Sequence, residues 1–132
     1  MLAILAMEKL AEVATGQTRT RLLAMAATCQ AHASRLLGRL AALGGAPLPV
    51  PPDDIDLPDP PSAAMRQEAA RAQFAAERYS TMANLARKAV EPAAAWVCEL
   101  NRQEELDRAR ELLELATACE QQGDASFLAP PG

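Results

Sequence analysis

The residues of this chain that could do chemistry are few and scattered. There is one histidine, His32, three residues after Cys29, which is one turn of a helix away. Carboxylates line up further on, with Glu104, Asp107 and Glu111 at three- and four-residue spacing, and Glu68 stands apart near the middle of the chain. Carboxylates and an imidazole on facing helices are the ordinary means of holding a divalent metal or moving a proton. A thiolate at Cys29 could join them only if a cation lowered its pKa. Other chemistries lack their parts: there is no glycine-rich phosphate loop, no Cys-x-x-Cys pair and no nucleophile elbow. A triad built on the single histidine has no local signature.

The elements that must position these residues are helical. Apolar residues recur at Leu2, Ala6, Leu10 and Val13, which predicts a helix over about 1–15. Thr15-Gly16-Gln17-Thr18 interrupts the pattern, with Thr18 placed to cap a second helix over 18–43 that carries Leu22, Met25, Cys29, Ala33, Leu36 and Leu40; one long continuous helix is the alternative. Gly44-Gly45 and Pro47 stop it. From 44 to 61 the chain changes character: seven prolines and four aspartates forbid helix and favour an extended path, with Ile55 and Leu57 available to pin it. Ser62 is the expected cap of a third helix over 62–90, and Glu91-Pro92 opens a fourth over 92–122 that stops at Gly123. Two tight breaks around a crossover as long as the bundle predict an all-α four-helix bundle connected up-down-down-up, one domain over 1–122, with a tail at 123–132.

Placing the candidates on helical wheels separates them. Glu8 and Glu12 fall opposite the first helix's stripe, and Glu77 falls away from the third-helix face set by Phe74, Met82, Leu85 and Ala89. Glu68 lies closer to that face. Glu104, Asp107 and Glu111 continue the line of Ala93, Trp96, Val97 and Leu100, while Leu106, Ala109, Leu112, Leu113 and Ala116 form another face. Such acids call for cations, and Arg71 or Arg78 at the third helix's edge is the expected partner. His32 sits at the edge of its stripe, where a histidine is usually a boundary residue.

Composition bounds the function classes. The 132 residues are half apolar, with alanine dominant and four aromatics, Phe74, Tyr79, Trp96 and Phe127. Small side chains bury little area each, which favours self-association. A net charge of −4 with both signs interspersed, and no basic stripe, argues against nucleic acid. The apolar start meets Glu8 after seven residues, too soon for a secretory or membrane segment, so no membrane is expected. Cys29, Cys98 and Cys119 are odd in number and dispersed, which suits buried, reduced thiols in a cytoplasmic protein.

A helical hairpin, a long crossover and a second hairpin resemble the layout of the ferritin-like superfamily, its rubrerythrin-type and small bacterial members included. The text Cys29-Gln30-Ala31-His32-Ala33-Ser34-Arg35-Leu36-Leu37, running on to Gly44-Gly45-Ala46-Pro47, is similar to the end of the second helix there, and Glu77-Arg78-Tyr79 to third-helix positions. The resemblance implies a di-iron carboxylate site, with one Glu from each of two helices and a Glu-x-x-His pair from each of the others. Here Cys29 stands in the Glu position before His32, and the fourth-helix counterpart is Glu104-x-x-Asp107 or Glu105-x-x-Arg108. The expectation is therefore a non-catalytic ferritin-like bundle without a cofactor, a structural or interaction subunit of a homo-oligomer or larger assembly. The alternative is a metal or redox protein binding iron or another divalent ion through Glu68, His32, Glu104 and Asp107, completed by oligomerisation. Phe127 and Leu128, between small residues and prolines after the last helix stop, form either a docking peptide or a frayed tail.

Overall fold

The computed structural model describes residues 2–42 and 56–123, and among them there are four helices and no strand. They are α1 (Leu2–Val13), α2 (Gly16–Ala42), α3 (Pro61–Lys88) and α4 (Pro92–Gln122). The Gly44-Gly45 stop, the crossover from 44 to 55 with Ile55, and the tail with Phe127 and Leu128 lie outside the described residues. No helix among those described is long and apolar enough to cross a membrane.

The breaks fall where glycine and proline demand them, but two caps differ from expectation. Helix α2 begins at Gly16, whose φ of +56° suits a residue without a Cβ, and Thr18 is already inside its first turn. The Thr15 carbonyl accepts the Arg19 N–H at 3.3 Å. Pro60, not Ser62, is the residue before α3: its carbonyl accepts the N–H groups of Ala63 and Ala64 at 2.9 and 3.3 Å, and no side chain caps the end. Pro61 fits the first helical position because its missing N–H has no partner to lose there. Ser62 is buried instead. Between α3 and α4 the chain reverses through Val90 at φ +56°, with the Glu91 N–H on the Ala86 carbonyl at 2.8 Å.

The core draws Met7 and Leu10 from α1, Leu22 and Met25 from α2, Met65 from α3, and Leu112 and Leu115 from α4, with alanines between them. Leu57 packs against it from the chain entering α3. Helices α3 and α4 lie together along their lengths, tied by Arg66 to Glu120 near one end and by Arg87 to Glu99 at 2.6 Å near the other.

The inward face of α3 is not the one its large residues mark. Phe74, Met82 and Leu85 are 62%, 39% and 59% exposed, whereas Ala64, Met65, Glu68, Ala69, Ala72, Ala76 and Ala83 are buried. Trp96 of α4 is likewise 65% exposed. The physical reason is the closeness of the α3–α4 seam: alanines let the axes approach, and a Phe or Trp there would hold them apart.

Candidate functional site: a buried polar cluster

One stretch of the interior is polar. Cys29, His32 and Arg35 recur every three residues on α2, and Asn101, Glu105 and Arg108 at four- and three-residue spacing on α4, so each set shares a helix face. On α4 that face also carries Ala95, Cys98 and Leu112, which points it inward. His32, Asn101, Glu105 and Arg108 are all buried, and Glu68 of α3 is 0% exposed.

The network is specific. His32 lies between two carboxylates, with Nδ1 3.1 Å from Glu105 Oε1 and Nε2 against Glu104 Oε2, the latter without hydrogen-bond alignment. Arg108 donates to Glu105 Oε2 from Nε at 3.1 Å and from Nη2 at 2.5 Å. Arg35 grips Glu104 with both ends, Nη1 to Oε2 at 2.6 Å and Nη2 to Oε1 at 3.1 Å, and Nη1 also donates to Asn101 Oδ1 at 3.1 Å. Two-pronged pairs of this kind are the strong form of ion pair. Glu68 Oε1 accepts Arg71 Nη1 at 3.1 Å, while Glu68 Oε2, Asn101 Nδ2 and Arg108 Nη1 have no hydrogen-bond partner among the described residues. Each buried polar atom left in that state costs about 1–3 kcal/mol.

The charges respond to these surroundings. Burial opposes ionisation of Glu104, but hydrogen bonds from Arg35 and the charges of His32 and Arg35 outweigh it and hold the carboxyl below its usual range. Glu105 is likewise held low, with the His32 hydrogen bond and Arg108 overcoming burial. Burial wins at Glu68, whose carboxyl is pushed up although Arg71 and Arg108 pull the other way. Burial also raises the Cys29 thiol, with Arg108 opposing. The Tyr79 hydroxyl at the cluster's edge is raised by burial too.

Several expected placements are corrected. His32 is no boundary residue but is 4% exposed, because the face of α2 beyond Cys29 turns towards the carboxylates of α4. Asp107 points away from the cluster, its half-exposed side chain taking Gln103 Nε2 at 3.1 Å and Arg110 at 3.5 Å. The cations that meet Glu104, Asp107 and Glu111 come from α2 and α4, Arg35 on Glu104, Arg21 on Glu111 at 2.7 Å and Arg110 on Asp107, rather than from Arg71 or Arg78. Arg71 serves Glu68. Glu8, Glu12 and Glu77 face water. The proposed ligand set is thus divided: His32 and Glu104 meet, Glu68 approaches from α3, and Asp107 stands outside.

Guanidinium groups already pair with Glu104, with Glu105 and with one oxygen of Glu68, and a further cation brought beside them would be repelled where water is excluded. Among the described residues no group of three or more His, Cys, Asp or Glu is placed to hold a metal ion. Arg35, Asn101 and Arg108 complete the network without having been singled out as site residues. Their signal was their shared register with Cys29, His32 and Glu105. No family model, curated protein or solved structure matches the chain.

Proposed function

We propose that this chain is a non-catalytic, ferritin-like helical bundle acting as a structural or protein-interaction subunit, with an ion-pair network where a carboxylate metal site would lie. The observation that carries the reading is Arg108: it stands three residues after Glu105, is 4% exposed, and holds Glu105 by two hydrogen bonds across from His32. A fixed guanidinium supplies the positive charge that buried carboxylates need.

An up-down-down-up connection is supported by the order of ion pairs. Arg21 meets Glu111 and Arg35 meets Glu104, so α2 and α4 run in opposite senses. Arg66 meets Glu120 and Arg87 meets Glu99, so α3 opposes α4 as well. Exposed Phe74, Leu85 and Trp96 support a homo-oligomer or a place in a larger assembly, and three buried free cysteines suit a cytoplasmic protein.

The test is metal content and native mass measured on protein purified without chelator and reloaded with ferrous iron, manganese or zinc. Far less than one metal ion per chain is expected, with a melting temperature indifferent to chelator. Stoichiometric metal in a defined oligomer would overturn the reading in favour of a carboxylate site shared between chains, and would direct mutagenesis to Glu68, His32, Glu104 and Asp107.

A further inference from the structure

Between the start of α1 and the middle of α3 and α4 lies an open cavity of about 540 Å³, bordered by Glu68, Arg71, Phe74, Arg78, Glu105 and Arg108. Its size is that of a small-ligand site. Its polar groups are only partly used by the protein. Glu68 is fully buried yet has one carboxylate oxygen, Oε2, without a partner among the described residues, and Arg108, which also borders a smaller cleft beside Glu104, has Nη1 unused among them. Arg78 forms no ion pair among the described residues. Its guanidinium lies 6.0 Å from the centre of the Phe74 ring, within the range of a cation–π contact. The cavity therefore presents a buried acceptor, two cations with capacity to spare, and an aromatic wall.

We propose that this cavity binds a small zwitterion, an α-amino acid with an apolar or aromatic side chain. Its ammonium donates to Glu68 Oε2, its carboxylate accepts from Arg78 and Arg108, and its side chain lies against Phe74. Charge decides between ligand classes. A plain carboxylate would answer the arginines but set its charge beside the unpartnered oxygen of Glu68. A plain amine would answer Glu68 but face Arg71, Arg78 and Arg108, while the Glu105 carboxylate on the same wall is already held by Arg108 and His32. A molecule with both ends satisfies both halves of the pattern, and burial of Glu68 strengthens its preference for a cationic donor. This inference goes beyond the scaffold reading and does not depend on metal content.

Calorimetric titration and thermal melting with phenylalanine and leucine test it, with phenethylamine and 3-phenylpropionate as probes lacking one charged end. Phenylalanine is expected to bind and raise the melting temperature, and each one-ended analogue to bind at least about tenfold more weakly, since each loses a hydrogen bond to a charged group. Arg78→Ala is a surface change whose fold is checked by circular dichroism, and it is expected to weaken phenylalanine about tenfold or more. Glu68→Gln is expected to remove the preference for phenylalanine over 3-phenylpropionate. No binding of either amino acid at millimolar concentration, equal binding of the one-ended analogues, or unchanged affinity in a folded Arg78→Ala variant would each overturn the proposal.

Discussion

The two halves of α4 face the same bundle and are held to it by different forces. From Ala109 to Cys119 the inward side is apolar, with Leu112, Leu115 and Ala116 packed against Met7, Leu10, Leu22 and Met65. From Asn101 to Arg108 the inward side is polar and charged, and its contacts are His32, Arg35 and the carboxylates between them. The apolar half tolerates imprecision, because area burial has no direction. The polar half does not, because removing one member of a buried charge pair leaves the other unsatisfied. A bundle so poor in large apolar side chains has little surplus stability with which to carry an unpaired charge, so the polar half is the more sensitive to substitution.

That contrast is open to direct attack. Arg108→Ala should have the largest effect, a loss of about 3–5 kcal/mol in urea unfolding, because Glu105 keeps its burial and loses its main cation. A loss under 1 kcal/mol, about the value of an exposed pair, would show that water reaches Glu105 and that the contrast is false. In the other half, Leu112→Ala removes a side chain with no exposure and should cost about 3 kcal/mol through lost burial and the cavity left behind.

Acid should separate the halves more finely. Glu104 and Glu105 are held below the ordinary carboxylate value of 4.5, so the stability they contribute is present above that value and is lost as the pH falls through their folded-state values. Glu68, raised by burial, has the opposite sign: its contribution is complete below 4.5 and is lost as the pH rises through its folded-state value. Urea midpoints measured from about pH 6 down to pH 3 should therefore fall for the native chain and for Leu112→Ala alike, and fall less steeply for Arg108→Ala. Parallel curves for all three would mean that the cluster does not set the acid limit. The smallest effect belongs to the surface: Glu99→Gln removes the exposed partner of Arg87 and should change stability by no more than about 0.5 kcal/mol.

Much of the fold was legible in the sequence. The breaks at Gly16, at Glu91-Pro92 and at Gly123 follow from local chemistry, since a positive φ or a missing N–H is a property of one residue and its neighbours. The caps were less so: Ser62 and Pro61 both have good reason to start a helix, and only the path of the incoming chain chose the proline. The candidate site was legible in part. His32 and Glu104 were visible as the only histidine and a carboxylate at helical spacing, but Glu68 and Asp107 traded importance. Periodicity placed Glu68 closer to the face of Phe74, Met82 and Leu85 and Asp107 on an apolar line, whereas that face of α3 is exposed, Glu68 is fully buried and Asp107 is half-exposed.

The sequence by itself determined that this chain is helical and at which glycines and prolines its helices could break. Tertiary structure decided which side of each helix faces in. On an alanine-rich helix the large residues do not mark the core, because the closest seams select the smallest side chains, and so Phe74, Leu85 and Trp96 were left outside. It also decided which cation meets which acid: Arg35 and Arg108, rather than Arg71 or Arg78, neutralise the α4 carboxylates. Ion pairing depends on distances of a few ångströms between side chains from different helices, and no pattern along a single helix records them.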